Sequence, residues 1–197
     1  RSKEPDALSG VRGKVVEVYL NDEYRGIYSF MENMDRKEMK LKKFDKNGTI
    51  RGVLWKSKGY DSSIMDVVPE TYNNKEPMMD VFEAKYPDLN DLDSIDYSTL
   101  WNAINFVVNS SNSDFKKHVQ EYFDIPVLID YYLFVVLLNA LDNEGKNMYW
   151  AVYDQTKNKM ITPAVWELDI SMGAKSALQY NEDFISPEFN SGNVLNV

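Results

Sequence analysis

The chain of 197 residues contains no cysteine, which removes disulfides, thiol nucleophiles, iron–sulfur clusters and Cys-ligated zinc in one step. Histidine is almost as scarce. The single one, His118, excludes a multi-His metal centre, and its setting SDFKKHVQEYF puts it on the polar side of a helix whose apolar residues are Phe115, Val119, Tyr122 and Phe123. It reads as a solvated helix residue. Neither G-x-x-x-x-G-K-[ST] nor G-x-G-x-x-G occurs among the nine glycines, so a P-loop and the usual glycine-rich kinase loop are missing. Positive charge is also in deficit. Lys and Arg number 22 against 31 Asp and Glu, a formal net charge of −9, which opposes attraction to phosphate backbones and anionic membranes. Nucleic acid is not an expected partner.

Long apolar runs are wanting too. The longest, Ile125 to Leu141 (IPVLIDYYLFVVLLNAL), carries Asp130 and Asn139, and at about 1.5 Å per residue it falls short of a hydrocarbon core of ~30 Å. No transmembrane segment is expected. The run predicts a helix buried among other elements, with Asp124 as N-cap and Pro126 in the first turn. Because Arg1 is followed by no apolar leader, any targeting peptide is expected to have been removed or never to have been present.

What is present is the composition of a folded protein: 44% apolar, 13% aromatic and 27% charged residues, in a length that suits one large domain or two small lobes. Residues 1–13 are polar and predict a flexible lead-in. KVVEVYLN and YRGIYSFME flank Asp22-Glu23 and predict a hairpin; TIRGVLWK and VFEAKY predict further strands, with a long loop over residues 57–79 between them. From about Ser94 the period changes. Leu100, Ile104, Val107 and Val108 mark one amphipathic helix, and Phe115, Val119 and Phe123 mark another behind a Ser113 cap. After the apolar run come LDNEGKN, a strand NMYWAVY and a strand MITPAVWELD. Strands first and helices second predict an α+β protein, with a β-rich N-terminal lobe over residues 14–90 and a helical C-terminal lobe over residues 91–197. A cleft between two such lobes is a natural ligand site.

Three segments carry chemistry. Asp142 to Asn147 has the spacing D-x-x-x-x-N at the junction of the apolar helix and a strand; in protein kinases this spacing gives a base for the substrate hydroxyl and an amide for a metal. Trp166-Glu167-Leu168-Asp169 closes the following hairpin, and strand alternation would put Glu167 and Asp169 on one face, a pair of hard oxygen donors suited to Mg²⁺. Lys56 ends the strand GVLWK, where an ammonium can reach nucleotide phosphates if an acidic residue orients it. Glu32 and Glu83 are both candidates for that partner. Each segment alone is compatible with a solvated turn, strand end or surface lysine. Their order along the chain is that of a kinase.

Taken together, VEVYLNDEYRGIYSFME, GVLWK, the Asp142–Asn147 loop with NMYWAVY, and WELDISMG resemble the CotH kinase family, atypical kinases named after a spore coat protein, over roughly residues 14–174. The resemblance implies a reduced kinase-like fold spanning residues 14–197, shortened at its C-terminal end, with a hairpin that holds the metal. It also implies transfer of the γ-phosphate of ATP, with Mg²⁺ or Mn²⁺, to Ser or Thr of a secreted, cell-surface or spore-associated protein. Carried onto this sequence, Lys56 contacts the nucleotide phosphates, Asp142 is the base, and Asn147, Glu167 and Asp169 hold the metal. Two departures stand out. Where the family reads W-D-x-D this chain has Glu167 in the first acidic position, and its N-G turn reads Asn21-Asp22. One added methylene moves a carboxylate by about 1 Å, a misplacement that can cost on the order of 100-fold in rate. A pseudokinase serving as a cell-surface binding or assembly module is therefore the second reading. A sugar-binding or glycosidase domain, suggested by four Trp and many carboxylates, is the third.

Overall fold

A computed structural model describes residues 5–59, 65–69, 81–88, 90–92, 94–172, 174–176 and 179–180. Strands β1 (Gly13–Leu20) and β2 (Glu23–Met31) form an antiparallel hairpin. Its turn residues Asn21 and Asp22 have φ of 50° and 64°, the paired left-handed conformation whose twist matches that of two flanking strands. The hairpin is a sheet of its own. Val15, Tyr19, Ile27, Tyr28 and Phe30 are all exposed on it.

The central sheet holds β3 (Val53–Ser57), β4 (Phe82–Tyr86), β5 (Met148–Val152) and β6 (Thr162–Val165), in the order β4-β3-β5-β6 with every pair antiparallel. Two of its strands come from each half of the chain. The strands expected in the N-terminal lobe and the hairpin expected in the C-terminal lobe thus share one sheet. A final pair, β7 (Ala174–Ser176) and β8 (Gln179–Tyr180), lies apart from it.

The helices are α1 (Ser98–Asn109), α2 (Asn112–Tyr122) and α3 (Ile125–Leu138). The period-2 alternation of the strands decides what they cover. Val53, Trp55, Phe82, Met148, Trp150 and Val152 project to one face and bury against Tyr97, Leu100 and Ile104 near and on α1, Phe123, and Leu128, Tyr131 and Val135 of α3. Trp150 Nε1 donates to Ser57 Oγ at 3.3 Å on that face, so the indole nitrogen is satisfied where it is buried. Leu54, Tyr86, Tyr149, Ala151 and Ala164 project the other way, beneath Met34, Met39 and Leu41 of the segment after the hairpin. Leu8 and Val11 pack on the same cluster, and Val165 N donates to Ser9 O, which draws residues of the expected lead-in against β6.

Several expectations change in detail. The cap of α2 is Ser111, whose side chain accepts from Asp114 N at 3.1 Å, and not Ser113. Helix α3 stops at Leu138, where Asn139 takes a left-handed conformation at φ 49°; Asp124 precedes the helix without a side-chain capping bond. Nor is α3 buried all round. Leu128, Tyr131 and Val135 face the sheet, while Ile129, Leu133 and Leu137 form an exposed stripe at i, i+4, i+8, a distinction that an apolar run hides because both faces read alike. Of the loop expected at residues 57–79, residues 60–64 and 70–79 lie outside the described residues. His118 sits on α2 in contact with Glu121, 2.8 Å away, as a partly exposed helix residue.

Candidate functional site

Lys56 lies on the sheet face opposite the helices. Register places it between Glu83 of β4 and Tyr149 of β5, with Ala164 next in the same row. Its Nζ is 6.0 Å from the centre of the Tyr149 ring, within reach of the ring's negative face. Tyr149 is 4% exposed, and its hydroxyl is pushed up to about 12 by burial, with smaller contributions from the negative charges of Glu83 and Glu167. That coupling puts both carboxylates in electrostatic range of the same phenol. Of the two acidic residues considered as partners for Lys56, Glu83 stands directly across from it, although its carboxylate is in contact with Lys85 Nζ at 2.6 Å. Glu32 is held elsewhere. It accepts from Arg12 through Nη2 at 2.9 Å, Nε at 3.3 Å and the backbone N at 2.9 Å, contacts that hold its carboxyl below the usual range, the backbone bond foremost.

The Asp142–Asn147 loop follows from how α3 ends. Asn139 closes the helix, Ala140 N donates to Val135 O at 3.0 Å, and Leu141–Glu144 wind one 3₁₀ turn before Asn147 enters β5 at φ 53°. Asp142 is largely buried and its Oδ2 lies 3.5 Å from Lys146 Nζ. Asn147 is 4% exposed. Between them, Asn143 is fully buried. Its Nδ2 donates to Asn147 O at 3.2 Å and to Trp166 O at 2.7 Å, and its backbone carbonyl accepts from the Tyr131 hydroxyl of α3 at 2.8 Å. The loop and the chain just beyond β6 are thereby joined.

The segment Trp166–Asp169 is placed differently from the expectation. Strand β6 ends at Val165, and Glu167 takes a left-handed φ of 52°, so strand alternation does not reach Glu167 and Asp169. Both are exposed. Trp166 packs edge-on to Tyr149, with ring centres 6.1 Å apart. Beside it, Val11, Met31, Val165, Trp166, Glu167 and Leu168 line a largely apolar recess of about 340 Å³.

Three or more His, Cys, Asp or Glu side chains do not gather into a metal cage among the described residues. Asn147 and Glu167, oxygen donors by side-chain type, stand on the two segments whose backbone Asn143 joins. These are hard oxygen donors few enough to suit Mg²⁺, which keeps waters and substrate phosphates for the rest of its octahedron. In chemical type, oxygen from an amide and a carboxylate, these donors suit a divalent ion.

Two residues escaped the sequence reading. Asn143 and Glu144 sit inside what reads as a plain polar turn, DNEG, yet Asn143 is buried, and burial pushes the Glu144 carboxyl up to about 7. Burial is a tertiary property, and the only local sign of it is the apolar helix immediately before the turn.

An α+β scaffold with a strand lysine, an Asp–Asn loop and an acidic segment beyond the last strand of the central sheet is the class these features define. The family model described as CotH kinase protein matches residues 7–196, and the chain belongs to that family. No curated protein matches it. Membership in a kinase family implies in general a nucleotide, a divalent metal and a protein substrate. Among the described residues no helix is long and apolar enough to cross a membrane.

Proposed function

We propose that the chain is an active atypical kinase that moves the γ-phosphate of ATP to a Ser or Thr hydroxyl of a secreted or surface protein. The observation that carries this reading is the connection made by Asn143, which couples the Asp142–Asn147 loop to the Trp166–Glu167 segment beside the row holding Lys56 and Tyr149. Lys56 contacts the phosphates and Glu83 stands across from it. The recess beside Trp166 offers the adenine ring an apolar wall. Asn147, Glu167 and Asp169 would hold the metal, which when bound neutralises phosphate charge. Asp142 takes the proton of the acceptor hydroxyl while the hydroxyl's oxygen bonds to the γ-phosphorus; the bond from that phosphorus to the β,γ-bridging oxygen breaks, and ADP leaves.

Incubation with γ-labelled ATP, Mn²⁺ and a panel of Ser-rich acceptors tests the reading. Label should appear on Ser or Thr and fall at least about 100-fold in Asp142→Ala, the lower end for a general base. Equal incorporation in wild type and variant would refute the assignment. A pseudokinase is the second reading, favoured by the exposed, left-handed Glu167; it expects nucleotide binding without transfer.

A further inference from the structure

Asn143 is placed to do more than fill space. Two carbonyl oxygens, Asn147 O at 3.2 Å and Trp166 O at 2.7 Å, converge on its side-chain nitrogen. Each needs a donor, and a primary amide is the side chain of this length that offers two hydrogens from one atom. Aspartate would set oxygen against both carbonyls. Serine has one hydrogen, and glutamine is a methylene too long. The same pair of acceptors fixes the orientation of the amide, since the flipped form would oppose oxygen to oxygen. The third bond, from the Tyr131 hydroxyl to Asn143 O at 2.8 Å, ties the residue's backbone to α3, whose Tyr131 is itself buried. The bonds to Asn147 O and from Tyr131 are buried and that to Trp166 O is partly buried, so losing a buried one leaves a polar group desolvated without compensation.

We infer that Asn143 is a positioning residue for the metal: its amide sets the separation between Asn147 and Glu167, and through them the affinity for the ion, an inference that rests on the kinase reading of the same loop. It touches neither metal nor nucleotide. Residues that orient metal ligands through hydrogen bonds typically cost 10–100-fold in metal affinity when removed, and a change of that size is expected here.

The test titrates Mn²⁺ at fixed ATP and reads the thermal midpoint of wild type, Asn143→Ala, Asn143→Ser and Asp154→Asn. Asp154 is a buried partner of Arg51 in the turn after β5, so its variant supplies general destabilisation away from the loop. The Mn²⁺ concentration for half the ATP-induced shift should rise about 10–100-fold in Asn143→Ala, less in Asn143→Ser, and not at all in Asp154→Asn. An unmoved Mn²⁺ requirement in both Asn143 variants overturns the role, and so does an equal rise in Asp154→Asn. Should the Asn143 variants not fold, the wild type decides: its Asn143 side-chain amide protons, followed by nitrogen-15 NMR, should exchange slowly and shift on adding Mg²⁺ and ATP together. Free-amide exchange or no shift overturns the role. A wild type with no metal-dependent response to ATP refutes the kinase reading itself, and the role with it, whereas a normal wild-type response with unaltered variants removes only the role.

Discussion

Glu144 shows how much one buried side chain can hide in a polar turn. Its carboxyl is pushed up to about 7 by burial, so the folded state favours the protonated form more than the unfolded chain does. The stabilising contribution of that proton is complete below the unfolded carboxyl value and is lost as pH climbs from there to about 7. Above that the penalty is constant. Glutamine cannot ionise, so Glu144→Gln should gain on the wild type between pH 5 and pH 8, read as the difference in urea midpoints at the two values. A difference that does not change with pH would mean that the carboxylate is well solvated. Asn143 beside it is equally invisible to spacing rules, because two carbonyls arriving from separate segments are a feature of the fold and leave no trace in the local sequence. Where Lys56 and Asp142 fall in the fold was legible for the opposite reason. The lysine lies on a recognisable strand, and the aspartate follows a recognisable helix.

Among elements, those with a strong local signal came out as read. The β1–β2 hairpin needed only two β-rich runs and a turn that accepts left-handed residues. What local pattern could not supply was the end of an element set by its neighbours. Strand β6 stops at Val165 because Trp166 turns to pack on Tyr149 and gives its carbonyl to Asn143, and the expected pairing of Glu167 with Asp169 on one strand face goes with it. Similarly, the stripe Ile129–Leu133–Leu137 of α3 is as apolar as the face that is buried. The segment over the Lys56 face offers a direct test of packing. Gly52 donates to Lys42 O at 2.9 Å, and a methyl group there would meet Lys42 O at 2.6 Å and Leu41 Cβ at 2.8 Å. Backbone cannot yield as a flexible side chain can. Gly52→Ala should therefore destabilise the chain by about 1–3 kcal/mol, the usual cost of overpacking, measured by urea unfolding. A loss within about 0.5 kcal/mol, as for an ordinary surface site, would show that the segment lifts freely from the sheet.

At the scale of the molecule, the deficit of positive charge acquires a role in the proposed chemistry. A chain of net charge −9 repels a free nucleotide triphosphate, and the proposed site adds Asp142, Glu167 and Asp169 against Lys56. Paired with a divalent ion, the same carboxylates favour binding, because the ion is the largest local charge and reverses the sign of the field that the phosphates meet. The sheet built from both halves of the chain serves the same end, since it brings β3 with its lysine against β5, which leads directly from the Asp–Asn loop. That adjacency could not be read from element order alone, where the two halves look like separate lobes.

The coupled requirement for metal and nucleotide is therefore the point to measure, by the thermal midpoint of the wild type with ATP alone, Mg²⁺ alone and both, and of Lys56→Met and Asn147→Ala with both. At a ligand concentration 100 times the dissociation constant, binding adds about 2.7 kcal/mol, and about 2–4 °C per kcal/mol for a chain of this size gives an expected rise of roughly 5–10 °C with both ligands. ATP alone and Mg²⁺ alone should give little, and both variants should lose most of the rise. A shift with ATP that is indifferent to Mg²⁺, or one that survives in both variants, would contradict a nucleotide site built on Lys56, Asn147 and a shared metal.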